Sequence, residues 1–146
     1  FEELLIKQFE RADRYNEAFF LVIIDIDNLK KVNDHYGHTA GDKMIQFISS
    51  QIKSRLRSSD LLARYGGEEF VAIFLNTDAE QLTEKLESIR DDITKTPLSA
   101  DSHNIVCRFS YGIAGFPTNG KSYNELIKMA DAQMYEYKNT HKINDI

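Results

Sequence analysis

The chain has 146 residues, of which 42% are hydrophobic and 28% charged, and its formal net charge is −5. These are the proportions of one soluble globular domain large enough to bury a core, and the acidic balance argues against a generic nucleic-acid binder. The longest apolar run, Ala18 to Ile24, is far short of the roughly 20 residues that span a bilayer, and no secretory signal is visible.

Phe1, Leu5, Phe9 and Ala12 recur at helical spacing, which predicts an amphipathic helix over 1–15. The run AFFLVIID (18–25) is apolar up to its final Asp, the mark of a strand buried on both faces. NLKKVNDHYG then predicts a short helix stopped by Gly37, and Met44, Ile45, Ile48, Ile52 and Leu56 predict a longer one over about 40–56. DLLARY and EFVAIFL predict two strands joined by a turn at Gly66–Gly67, where glycine can supply positive φ. Thr77 and Glu80 form a capping box before a helix whose apolar face is Leu82, Leu86, Ile89 and Ile93. Residues 97–103 are expected to form a loop leading into a strand near 104–115. Cys107, the one cysteine, excludes an internal disulfide and is expected there as a buried, inert thiol. Ser122 and Glu125 form a second capping box, opening a final helix through about Lys138.

Leaving out the first helix and the short one, the order is β-α-β-β-α-β with a helix appended. That is the ferredoxin-like pattern of an α/β (α+β) domain. Its first strand lies antiparallel beside its third, so Asp25 is expected near Glu68 at one sheet edge. Two adjacent glutamates opening a strand are unfavourable by themselves, because Glu is disfavoured there and like charges repel. Asp25, Asp27, Glu68 and Glu69 together either share protons or hold a hard cation, and oxygen ligands favour Mg²⁺ or Mn²⁺ over zinc. The spacing of Asp25 and Asp27 leaves two arrangements open. A continuing strand points both to one face; a broken one leaves Asp27 to cap the helix. Solvated turn residues are the alternative for Glu68 and Glu69. A divalent cation would also let an acidic protein bind a phosphate ligand.

Four stretches in order resemble the GGDEF family, the diguanylate cyclases. They are Gly66-Gly67-Glu68-Glu69-Phe70 for the signature loop, DIDNLKKVNDHYGHTAGD (25–42), RSSD (57–60) for the R-x-x-D motif, and ADAQMYEYK (130–138) for A-D-x-A-[LM]-Y-x-A-K. The resemblance covers nearly the whole chain and implies a single GGDEF domain over 1–146. Its fold would be a βαββαβ palm with additional helices, of the nucleotidyl-cyclase kind. The implied activity joins two GTP molecules, one on each copy of a homodimer, into cyclic di-GMP with loss of two pyrophosphates. A catalytically inactive module that binds GTP or cyclic di-GMP as a regulatory sensor is the alternative.

The resemblance also assigns roles. Asp25, the Ile26 carbonyl and Glu68 would hold Mg²⁺ or Mn²⁺, two ions per active half-site. Glu68, Lys30 and Glu69 would be catalytic: Glu68 near the attacking hydroxyl, Lys30 against phosphoryl charge, Glu69 supporting the metal set or holding a second ion. Amides of Leu29 and Lys30 would cradle phosphates. Asn33 and Asp42 would read guanine, since a carboxylate accepts from its N1–H and 2-amino group; complementing the helix dipole is the alternative for Asp42. His38 lies beside that pocket, either touching ligand or holding the loop by a hydrogen bond. Lys138 and Lys142 would reach the triphosphate. Lys142 stands where the family has Arg, keeping the charge without the bidentate fork. Arg57 and Asp60 would form a product-inhibition site, against the alternative of a surface ion pair. The chain begins at Phe1, just past the family's usual D-x-L-T-G-L-x-N-R opening. The expectation is therefore a cytoplasmic C-terminal fragment, with a sensor domain and any membrane anchor upstream.

Overall fold

The structure, a computed structural model, describes residues 2–141, so Phe1 and Lys142 lie outside the described residues. Its elements are α1 (Glu2–Tyr15), β1 (Phe19–Ile26), α2 (Leu29–Tyr36), α3 (His38–Lys53), β2 (Leu61–Arg64), β3 (Glu69–Leu75), α4 (Ala79–Thr94), β4 (Leu98–Ala100), β5 (His103–Ile105), β6 (Phe109–Phe116) and α5 (Tyr123–Thr140).

Four strands form one antiparallel sheet in the order β2-β3-β1-β6, the ferredoxin-like arrangement. Both faces are covered, which is why β1 and β6 have almost no polar alternation. Val22, Ile24 and Ile26 of β1 join a core with α2, α3 and α4. Phe19, Leu21 and Ile23 join a second core with α1 and α5. Asp25 continues that second series, so it emerges on the α5 side.

Three local expectations need correction. The α4 cap is Asp78, whose side chain accepts from the Gln81 N–H at 2.8 Å; Thr77 does not fill that place. The sequence carries both patterns one residue apart, and the carboxylate is the better partner for a positive helix end. The expected loop at 97–103 is a two-stranded hairpin, with Asp101 and Ser102 at φ 48 and 68 as a primed turn requires. The strand expected over 104–115 accordingly divides into β5 and β6. Cys107, between them, is buried, and burial raises its pKa to about 11, as suits an inert thiol. Finally, Gly66 and Gly67 are not at positive φ, and a Cβ on either would meet nothing within 4 Å. Their smallness leaves space open; it does not serve the turn's dihedrals.

Candidate active site

Register fixes the acidic pair. Asp25 lies opposite Glu69 in the β1–β3 ladder, and the Ile26 N–H donates to the Glu68 carbonyl at 3.0 Å. The strand end of β1 thus meets the start of β3, with Glu68 one step beyond Asp25's direct partner. Asp25 is 3% exposed. One of its carboxylate oxygens accepts from the Lys138 ammonium, which α5 brings down onto the sheet. The other, Oδ1, is buried with no hydrogen-bond partner among the described residues. A buried, half-satisfied carboxylate is costly unless something else completes its coordination.

Asp27 does not cap α2. Its Oδ1 accepts from the Ser110 hydroxyl at 2.8 Å, and Asn28, at φ 62, occupies the cap position without a side-chain bond. Burial raises the Asp27 pKa, against lowering by the Ser110 hydrogen bond and by Arg90 and Lys138. Burial and then the Asp25 charge raise Glu68 and Glu69 as well. For Lys138, burial works to lower the pKa, but the hydrogen bond and charge of Asp25, helped by Asp27 and Glu68, outweigh it and raise the value. Asp27, Glu68 and Glu69 are thus each biased toward the protonated form, with the Lys138 ammonium among them.

Beside this cluster lies an open groove of about 500 Å³ between α2, α3 and the β2–β3 hairpin. Leu29, Asn33, Asp42, Glu68 and Glu69 line it, with the two glycines at its rim. Gly41 explains how Asn33 is placed: a Cβ there would lie 1.7 Å from Asn33 Oδ1, so the amide occupies the space that glycine leaves. Arg64, which sequence reasoning missed, braces the hairpin by donating to the Gly66 and Gly67 carbonyls at 3.1 and 2.7 Å. Its place just before the glycines was the available signal.

Lys30 and His38 are exposed and do not line the groove; His38 opens α3, and the loop-holding hydrogen bond is not seen among the described residues. Arg57 and Asp60 sit apart, at the turn after α3. Asp60 is 7% exposed, so the pair is not an ordinary surface bridge. Asp60 Oδ2 accepts from the Arg57 N–H at 2.9 Å and faces the Arg57 guanidinium at 3.6 Å and the Lys85 ammonium at 4.0 Å, while Oδ1 is buried with no hydrogen-bond partner among the described residues.

Among the described residues no three His, Cys, Asp or Glu side chains close into a metal cluster. A Mg²⁺ ion needs only one or two protein carboxylates, since substrate phosphates and water complete its octahedron. The free Asp25 Oδ1 and the neighbouring Glu68 are donors of the right kind.

The family model described as "Diguanylate cyclase, GGDEF domain" matches residues 1–144. The chain belongs to the GGDEF family. Diguanylate cyclase A of Treponema denticola is 35% identical over 122 residues, covering 84% of this chain and 33% of that protein. A GGDEF domain of DgcB from Caulobacter crescentus, solved in complex with c-di-GMP, superposes with TM-score 0.88 at 29% identity, covering 96% of this chain and 83% of that one. Cyclic di-GMP phosphodiesterase NbdA of Pseudomonas aeruginosa is 29% identical over 141 residues, covering 94% of this chain and 18% of that protein. The chain thus spans about a third or less of these curated relatives. Among the described residues no helix is long and apolar enough to cross a membrane.

Proposed function

We propose that this chain is a diguanylate cyclase domain that condenses two GTP molecules into cyclic di-GMP. The observation that carries the reading is the buried, unpartnered Oδ1 of Asp25, set beside Glu68 at the mouth of a groove that holds Asn33 and Asp42. Asp25, the Ile26 carbonyl and Glu68 would hold Mg²⁺ or Mn²⁺, two ions per half-site. When bound, the metal lowers the pKa of the attacking 3′-hydroxyl and offsets charge on the triphosphate. Asn33 and Asp42 select guanine, with His38 alongside. Amides of Leu29 and Lys30, with the Lys30, Lys138 and Lys142 side chains, bind the phosphates; Lys138 turns from Asp25 to do so. The 3′-oxygen bonds to the α-phosphorus of the facing GTP, the bond to pyrophosphate breaks, and Glu68 accepts the hydroxyl proton while Glu69 supports it. Two such steps, across two copies of the domain, close the ring. Arg57 and Asp60 bind product through the half-exposed Arg57 guanidinium, which the buried Asp60 carboxylate faces at 3.6 Å. We also propose that residues 1–146 form one domain of a longer, cytoplasmic-facing protein whose upstream part receives the signal.

The test is incubation with GTP and Mg²⁺ followed by chromatography of the nucleotides. Cyclic di-GMP formation by the wild type, abolished in a folded Glu68→Gln variant, is the expected result. Binding of GTP without turnover would overturn the cyclase reading in favour of a regulatory module, which the resemblance to a protein named a phosphodiesterase also suits.

A further inference from the structure

β6 is the last strand of the sheet, so its outer edge offers unpaired backbone groups. α4 and α5, packed on opposite faces, reach over that edge. Gln133 of α5 accepts from the Ile113 N–H at 2.9 Å, and Arg90 of α4 donates to the Phe109 carbonyl at 2.8 Å. Between them the hydroxyls of Tyr111 and Tyr137 both donate to one oxygen of Glu87, at 2.6 and 2.8 Å. The Tyr137 ring also stacks on His141, with centroids 3.9 Å apart at 13°, and lies 5.3 Å from the Arg90 guanidinium. Gln133 and Tyr137 stand at the first and second alanines of the A-[LM]-Y-x-A-K pattern, so both side chains are features of the present chain. The next residue is Lys138, whose ammonium meets Asp25. Consecutive helical residues point about 100° apart, so fixing the rotation of Tyr137 fixes that of Lys138.

We propose that Glu87, acting through the Tyr137 hydroxyl, is a positioning residue for GTP: this clamp sets where Lys138 meets the triphosphate. The inference rests on the cyclase reading for the identity of the ligand. Tyr111 separates positioning from plain stabilisation, because its hydroxyl donates to the same oxygen from β6 and is remote in sequence from Lys138.

Steady-state kinetics with GTP on folded variants decide it. Tyr137→Phe should raise KM about fivefold, the worth of one hydrogen bond, with kcat changed by less than about twofold. Tyr111→Phe should leave KM unchanged. Glu87→Ala should reproduce Tyr137→Phe, and Glu87→Gln, which keeps an oxygen acceptor, should recover part of the loss. On a Lys138→Met background, Tyr137→Phe should add nothing further. An unchanged KM in Tyr137→Phe, an equal rise in Tyr111→Phe, or full additivity with Lys138→Met overturns the proposal. A wild type that binds GTP without making cyclic di-GMP refutes the cyclase reading alone; GTP affinity by calorimetry then replaces KM, and the same ratios decide the clamp. A wild type with no GTP affinity overturns both.

Discussion

Asp25 and Glu68 show what crowding carboxylates at a strand end costs the fold that carries them. Burial and the Asp25 charge raise the Glu68 pKa, so the folded state holds that proton more firmly than the unfolded chain does. The associated stability is present at low pH and declines as pH rises from the ordinary glutamate range through the raised folded value. Above the raised folded value both states are ionised and the whole penalty stands. Metal-free Glu68→Gln should therefore melt a few degrees above wild type at neutral pH, with the gap closing in acid; thermal denaturation across a pH series measures this. A variant melting at or below wild type at neutral pH would mean that Glu68 is not crowded. Gly41 supports a second residue-scale prediction. In α3 an alanine costs nothing in helix propensity, but its Cβ would fall 1.7 Å from Asn33 Oδ1 and drive that amide from the groove. Gly41→Ala should raise KM for GTP about tenfold, roughly one good hydrogen bond, in a folded domain. An unchanged KM would remove Asn33 from guanine binding. The glycine and the asparagine were both plain in the motif; that one exists to seat the other was not, because their contact spans the α2–α3 junction.

Among the elements, α5 is the one whose placement matters most. It crosses β6 so closely that a Cβ on Gly112 would lie 1.8 Å from the Ala130 carbonyl oxygen and 2.6 Å from the Met134 nitrogen. Backbone cannot yield as a side-chain tip can. Gly112→Ala should destabilise the domain by about 3 kcal/mol, read as a lower denaturant midpoint, and should weaken GTP binding by lifting Lys138. A midpoint within error of wild type would show that α5 has room to shift. Helices and long strands were legible in the sequence because their periodicities are local. The β4–β5 hairpin was not, since Asp101 and Ser102 are unusual carriers of a primed turn and their strands have three residues each. The α4 cap was misread by one position for a similar reason: Thr77 and Asp78 each precede a suitable partner, and only the path of the chain decides between them.

For the whole molecule, the groove with its acidic edge lies in one part of the domain and the buried turn at Asp60 in another. A reaction that joins two bound GTP molecules needs two copies face to face. Specific activity should accordingly rise with protein concentration and then level off; a flat profile down to the lowest concentrations would refute assembly during the assay. In the same assay, Arg57→Ala should relieve inhibition by added cyclic di-GMP without lowering the initial rate, and undiminished inhibition would refute the assignment of that turn.

By itself the sequence determined the palm topology, the set of carboxylates and the stretches that carry the family signature, because these are written in short-range pattern and order. Only the tertiary structure decided that Asp25 faces Glu69, that Asp27 binds Ser110 instead of capping a helix, and that Tyr137 turns round the sheet edge to Glu87. Those outcomes depend on register, burial and charge among residues as far apart as Asp25 and Lys138, separated by 113 positions, and no local spacing encodes a contact of that range.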